Sequence, residues 1–183
     1  MAILVIGGVG IWQALRGPAT VVIVIRHAEK QSTAGPEPPG PPLVQPEGET
    51  RAAALAHVCG SADVRAIYHS SDFRPGTSTQ TDYLRSERTA RNLATAAPSA
   101  VRIPYFRTAI PDLVNDIRTN HRGQVVVVVA HTDTIPQIVS SLGGGQTGVI
   151  NDDTFDRFFV VVIPPWSGVR LIPLRYGAVS PPP

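Results

Sequence analysis

Two short polar segments each follow directly on a strongly apolar run, and they hold residue types suited to chemistry on phosphate. Arg26 and His27 come after the apolar residues 21–25. His131 comes after the run Val125–Ala130. A neutral imidazole is a nucleophile, and a guanidinium group binds the oxygens of a phosphate in a bidentate manner. These groups predict a site that binds a phosphoryl group and accepts it covalently.

Metal binding is the rival use for paired histidines. The adjacent guanidinium of Arg26 would repel a cation, and no third ligand stands out in the sequence. The single cysteine, Cys59, rules out an internal disulfide and a multi-cysteine metal site. We therefore expect neither a metal ion nor a cofactor.

The apolar runs before these segments predict strands that would position them. Continuous runs of Val and Ile are typical of parallel strands buried on both faces. Ligands of open α/β sheets bind at the carboxyl ends of the strands. If the two strands are neighbours, His27 and His131 face one crevice.

Strand and helix patterns alternate along the rest of the chain. Strands are predicted over residues 21–25, 64–68, 101–106, 125–130, 158–163 and 169–174. Helices are predicted over residues 46–60, 85–96, 111–121 and 134–142, and residues 73–83 have the composition of a polar loop. This order predicts an α/β fold with three α/β/α layers and a mostly parallel central sheet.

The chain of 183 residues has a length typical of one domain, which we place at residues 20–177. A net charge of +2, spread evenly along the sequence, argues against a nucleic-acid partner. Residues 1–19 comprise an apolar segment and a linker, and the apolar part is shorter than the about 20 residues of a membrane-spanning helix. Export or membrane association through this segment is favoured slightly over packing on the domain. Residues 178–183 are predicted to be a disordered, proline-rich tail.

The segment VVIVIRHAEK, residues 21–30, resembles the Arg-His-Gly/Ala-Glu stretch that opens the histidine phosphatase superfamily, the phosphoglycerate-mutase-like proteins. Further segments resemble the family in the same order, at residues 42–56, 67–71, 84–94, 125–144 and 151–164. The resemblance extends from about residue 20 to residue 164 and implies a phosphoglycerate-mutase-like fold. The short chain is similar to the small phosphohistidine phosphatase branch.

The resemblance implies a role for each matching residue. His27 would be the nucleophile that becomes a phosphohistidine, and Arg26 would hold the phosphoryl group. His131 would stabilise the transferring group, and Arg85 would be the second phosphate-binding arginine. Arg74 is the rival for that last role, because it lies nearer to the end of the strand before it.

The implied activity is that of a histidine-type acid phosphatase or phosphoglycerate-mutase-like phosphatase. Such an enzyme would cleave a phosphomonoester or a phosphohistidine without a metal ion, and its substrate would be a phosphorylated small molecule or a phosphoprotein. Two alternatives stay open, namely a phosphoglycerate-type mutase and a catalytically weak phosphate-binding regulatory module.

The sequence departs from the family pattern in several places. Residues 71–84 are longer than the usual turn and form either a flap over the pocket or a tolerated insertion. Ser32 stands nearest to the place where many members have an Asn, and Asp133 stands where Ser is common. The proton donor to the leaving group is not defined, and its candidates are Glu29, Asp112 and Asp133. The other histidines have structural roles by default, with His69 better placed to line the crevice than His57 or His121.

Overall fold

The computed structural model describes residues 17–29, 46–73, 80–82 and 84–180. Its strands are β1 (Thr20–Arg26), β2 (Val64–Phe73), β3 (Gln80–Asp82), β4 (Val101–Phe106), β5 (Val125–Ala130), β6 (Arg157–Ile163) and β7 (Arg170–Arg175). Its helices are α1 (Glu47–Cys59), α2 (Leu84–Ala96), α3 (Ile110–Asn120) and α4 (Ile135–Ser141).

The strands form one mixed sheet with the order β3-β2-β5-β1-β6-β7, and β4 pairs with β2. The pairs β1–β5, β2–β5 and β2–β4 are parallel, whereas β6 is antiparallel to both β1 and β7. β1 and β5 are therefore paired directly at the centre of the sheet, which is the condition for His27 and His131 to face one crevice. Their register sets Arg26 opposite Ala130, so that His27 and His131 follow at the same edge.

Alternate residues of the central strands pack into two separate cores. Val22 and Val24 of β1 face α3 and α4, in a core that includes Ile117 and Ile138. Ile23 and Ile25 face α1 and α2, in a core that includes Leu93. Because both faces of β1 are buried against helices, residues 21–25 of the strand are all apolar, which explains its unbroken β-branched sequence. The predicted three-layer α/β/α architecture is confirmed.

Two elements differ from the sequence prediction. β2 continues beyond residue 68 to Phe73, and residues 80–82, predicted to be loop, form the antiparallel strand β3 that pairs with its end. The sequence did not indicate this strand because the region is polar and has no alternation of apolar residues. For residues 71–84 the sequence left open a flap over the pocket or a tolerated insertion, and residues 74–79 and 83 of this stretch lie outside the described residues.

The two predicted terminal segments have different outcomes. Residues 1–16, which hold the predicted anchor or signal remnant, lie outside the described residues. Over the described ranges, no helix has the length and apolar character needed to cross a membrane. The disordered tail predicted from residue 178 starts too early, because Ser180 is buried and hydrogen-bonded to Asp156. Residues 181–183 are outside the described residues.

Candidate active site

His27 and His131 lie side by side at the carboxyl edge of the central strands. Their ring centroids are 5.0 Å apart, with the rings inclined by 64°. The backbone N–H of His27 donates to Ala130 O at 3.0 Å, which continues the β1–β5 ladder by one residue. The chain thus brings together two histidines that are separated by about a hundred residues in sequence, as the sequence predicts.

The ring of His27 is held in one tautomer. Its Nδ1 atom lies 2.7 Å from Ala28 O, and a carbonyl oxygen only accepts hydrogen bonds, so Nδ1 carries a proton. Burial lowers the pKa of His27 well below its usual range, and the neighbouring His131, Arg85 and Arg26 lower it further. His27 is therefore a neutral imidazole whose Nε2 atom holds the free lone pair.

His131 is fixed by hydroxyl groups. Its Nε2 atom lies 2.6 Å from the Oγ of Ser70, which in turn lies 2.7 Å from the Oγ of Ser86. Its backbone N–H donates to the Oγ1 of Thr134 at 3.0 Å. Burial, followed by the charges of Arg85 and Arg107, lowers the pKa of His131 to about 3. This imidazole is also neutral at neutral pH.

The guanidinium of Arg26 is held by the 151–156 segment (residues 151–156), which precedes β6. Its Nη1 donates to Asn151 O, Asp152 O and Thr154 O at 3.2, 2.6 and 3.2 Å. Its Cζ lies 3.9 Å from the ring centroid of Phe155. Among the residues that the structure describes, the buried Nε of Arg26 has no hydrogen-bond acceptor. A buried donor of this kind favours an oxyanion ligand, because an unsatisfied group costs about 1–3 kcal/mol.

Arg85 reaches the same place from the first turn of α2. It is 8% exposed, and its positive charge lowers the pKa of Arg26 and of both histidines. Two buried guanidinium groups therefore lie near enough to the pair of imidazoles to lower the pKa of both. The rival residue, Arg74, lies outside the described residues.

The three candidate proton donors are placed differently from one another. Both carboxylate oxygens of Glu29 accept from the Nε of Arg51, at 2.8 and 2.9 Å, which makes this acid a structural partner of α1. Asp133 forms an ion pair with Arg107 at 2.5 Å, so Arg107 balances the charge beside His131. Asp112 is exposed in the first turn of α3, where a carboxylate stabilises the helix.

The remaining histidines differ in their burial and in their position relative to the site. His57 is exposed on α1, and His121 follows α3 with its ring 5.9 Å from that of Tyr68. His69 is buried in β2 next to Ser70, the hydroxyl partner of His131. Ser32 lies outside the described residues.

Several residues of the site were not predicted from the sequence. The ring centroid of Phe155 lies 6.1 Å from that of His27, and the same ring packs against the guanidinium of Arg26. Thr89 accepts the N–H of Ala28 at 2.9 Å and so fixes the backbone after His27. Thr89 lies four residues after Arg85 on the predicted helix, and this spacing was the available signal. Nothing in the sequence pattern marks Phe155.

A cavity of about 440 Å³ shares Phe155 with this site. Its polar lining includes Glu29, Arg51, Glu47 and Asp153. In the described part of the chain, no group of three or more His, Cys, Asp or Glu side chains is arranged to hold a metal ion.

Comparison with known proteins gives matches at the level of structure alone. No protein-family model and no curated protein matches the sequence. A protein histidine phosphatase SixA, solved with tungstate, has a TM-score of 0.64 and 14% identity, over 85% of this chain and 96% of that one. A mycobacterial glucosyl-3-phosphoglycerate phosphatase has a TM-score of 0.58 and 15% identity, over 87% of this chain and 99% of that one.

A third solved structure, described as mycobacterial hydrolase 1, has a TM-score of 0.58 and 17% identity, over 88% of this chain and 99% of that one. Each match spans nearly the whole of the other protein, so the similarity concerns a complete domain. At sequence identities this low, the structural similarity establishes the architecture of the chain. Function depends instead on the residues of the site. The chain has the phosphoglycerate-mutase-like α/β fold of the histidine phosphatases.

Proposed function

We propose that the protein is a metal-independent phosphatase of the histidine phosphatase superfamily that works through a phosphohistidine on His27. The observation that carries the proposal is the hydrogen bond from His27 Nδ1 to Ala28 O, which leaves an unprotonated Nε2 in a buried pocket between arginines. A nucleophile of this kind needs no proton removed before it attacks.

In the first step, His27 Nε2 forms a bond to phosphorus while the bond from phosphorus to the leaving oxygen breaks. The leaving group departs with the electron pair and takes a proton from the solvent, and the phosphoryl group stays on the imidazole; the water that attacks in the second step returns a proton to the solvent. In the second step, water attacks phosphorus, the N–P bond breaks, and orthophosphate leaves with His27 restored. Because the nucleophile is regenerated, no co-reactant besides water is required.

Arg26 and Arg85 supply the positive charge that the phosphoryl oxygens require. Their guanidinium groups are buried, and charge-assisted hydrogen bonds are strong where water is excluded. The ring centroid of His131, which is fixed by Ser70, lies 5.0 Å from that of His27. From there His131 contributes a further polar contact to the transferring group. A dianion at this position would raise the pKa of His131 and favour its protonated, hydrogen-bond-donating form.

The cavity beside Phe155 suits the leaving group. Among the described residues, its lining holds three carboxylates, Glu29, Glu47 and Asp153, and one guanidinium, that of Arg51. This lining disfavours leaving groups that carry a carboxylate, because like charges repel. We therefore place phosphoglycerate and the mutase activity below hydrolysis of esters with neutral or cationic leaving groups.

The test is hydrolysis of p-nitrophenyl phosphate in the presence of a chelator. We expect the wild type to release orthophosphate, and His27→Ala to lose at least about a thousandfold in kcat/KM, as removal of a covalent nucleophile does. His57→Ala, an exposed histidine substitution on α1, is the matched control. Turnover that survives in His27→Ala, or that the chelator abolishes, would contradict the proposal.

The regulatory alternative predicts a different pair of results. A catalytically weak module would bind orthophosphate through Arg26 and Arg85 without turning over any phosphomonoester. Binding without turnover in the wild type would favour this alternative over the phosphatase.

A further inference from the structure

The chain after β7 returns to the edge of the sheet that carries His27. β6 is antiparallel to β1, with Phe158 opposite Ile25, so the 151–156 segment lies at the carboxyl end of β1. β7 is antiparallel to β6, with Arg175 opposite Arg157. The C-terminal segment (residues 176–180) is therefore adjacent to the 151–156 segment.

Ser180 joins these two segments by hydrogen bonds. Its Oγ accepts the N–H groups of Phe155 and Asp156, at 2.9 and 3.2 Å, and its own N–H donates to Asp156 Oδ2 at 3.2 Å. Ser180 is 5% exposed, and Asp156 is fully buried. One hydroxyl thus satisfies two successive peptide N–H groups, of which that of Asp156 is buried and that of Phe155 is part-buried.

The peptide groups fixed by Ser180 belong to the segment that aims Arg26. Thr154 O, directly before them, accepts from Arg26 Nη1. The Phe155 ring packs on the Arg26 guanidinium and lies beside the ring of His27. A displacement of this backbone therefore alters the direction of Arg26.

The C-terminal segment is also fixed on its other side. Arg51 donates to Tyr176 O and Ala178 O, each at 3.0 Å, and the same side chain binds Glu29, two residues after His27. Residues 176–180 thus connect the backbone after His27 with the backbone that holds Arg26.

We propose that Ser180 is a positioning residue that fixes the backbone of Phe155 and Asp156 and thereby aims Arg26 at the phosphoryl group. This inference rests on the proposed function, because it assigns Arg26 to phosphate binding. Without the hydroxyl, the buried N–H of Asp156 and the part-buried N–H of Phe155 lose their acceptor, and the segment shifts to recover partners. Arg26 then binds the phosphoryl oxygens less well.

The first measurement compares Ser180→Ala with the wild type. We expect about a tenfold increase in the Kd of orthophosphate and in the KM of p-nitrophenyl phosphate, with a smaller change in kcat. Ser180→Thr keeps the hydroxyl and should stay within about threefold of the wild type. Ser167→Ala, an exposed serine between β6 and β7, is the control. Wild-type affinity in Ser180→Ala, or equal losses in the Ala and Thr variants, would overturn the inference.

A double-mutant cycle separates positioning from a general loss of stability. In the Arg26→Ala background, Ser180→Ala should change the Kd of orthophosphate by less than about twofold, because the group it aims is absent. Equal factors in both backgrounds would overturn the inference. A wild type that binds orthophosphate but hydrolyses no phosphomonoester would overturn the proposed function, while the cycle would still measure the coupling of Ser180 to Arg26.

Discussion

At the scale of single residues, the site depends on two imidazoles that are buried without charge. Burial is the largest cause of the low pKa of both His27 and His131, and the nearby arginines add to it. Each neutral ring is oriented by its own contact, His27 by Ala28 O and His131 by the hydroxyl of Ser70. The low pKa of His27 keeps this imidazole, the proposed nucleophile, unprotonated at neutral pH.

These pKa values have a consequence for acid stability. His131 has a pKa of about 3 in the folded chain and about 6.5 in an unfolded one, so the unfolded state binds its proton more readily. The contribution of His131 to stability is therefore complete above about pH 6.5 and is lost as the pH falls toward about 3, by up to about 1.4 kcal/mol per pH unit.

We expect His131→Gln to unfold with a shallower pH dependence than the wild type below about pH 6.5, measured by urea denaturation at a series of pH values. His57→Gln, on the exposed face of α1, is the control for loss of a histidine. Parallel curves for the wild type and His131→Gln would show that the ring is not buried in its neutral form.

The sequence predicted the charged and titratable residues of the site but not the groups that orient them. Arg26, His27 and His131 stand next to unmistakable strand patterns, and Arg85 stands in a helical motif. Arg26, by contrast, is held by backbone carbonyls 125 to 128 residues away. A carbonyl has no sequence signature, so only the fold identifies contacts of this kind.

At the scale of elements, helix α2 links Arg85 to the backbone next to His27. Thr89 Oγ1 donates to Arg85 O at 2.7 Å and accepts the N–H of Ala28 at 2.9 Å. Thr95 makes the matching bond to Arg91 O on the exposed part of the same helix, at 3.2 Å. In this helix, Thr89 and Thr95 each donate a hydrogen bond to the carbonyl four residues before them. Thr89 alone of these two also accepts the N–H of Ala28 beside His27.

We expect Thr89→Val to lower kcat/KM about tenfold and to destabilise the fold by about 1–3 kcal/mol, because the buried N–H of Ala28 loses its acceptor. Thr95→Val removes the same type of helix bond away from the site and should change activity little. Steady-state kinetics and urea denaturation of both variants test the link. Equal effects of the two substitutions would refute a special role for Thr89.

Prediction of the elements succeeded where a core dictates the residue pattern. β1 and β5 are apolar on both faces because each face packs on a helical layer. The end of β2 and the strand β3 were not predicted, because their residues, such as Ser71 and Gln80, follow no apolar period.

At the scale of the whole molecule, the fold gathers positive charge at one edge of the sheet. Arg26 and Arg85 are both buried there; burial lowers the pKa of Arg26, and repulsion by the charge of Arg85 lowers it further. A bound anion would relieve this repulsion, and only the folded state has both groups in place to bind it. The unliganded protein is therefore expected to be less stable than its phosphate complex.

We expect orthophosphate at about one hundred times its Kd to stabilise the folded chain by about 2.7 kcal/mol. For a chain of 183 residues this corresponds to a rise in Tm of about 5–10 °C, measured by calorimetry with a chelator present. Arg26→Ala separates specific binding from the general effect of the salt, and an equal rise in that variant would refute a site at Arg26.

The most direct test of the account is to trap the phosphoenzyme. The wild type is mixed with p-nitrophenyl phosphate, quenched in alkali, digested and examined by mass spectrometry. We predict one phosphoryl group, stable in alkali and labile in acid, on the peptide that contains His27, and its absence in His27→Ala. Rapid hydrolysis of the ester with no phosphoryl group on that peptide, or with one on a different residue, would contradict the central role of His27.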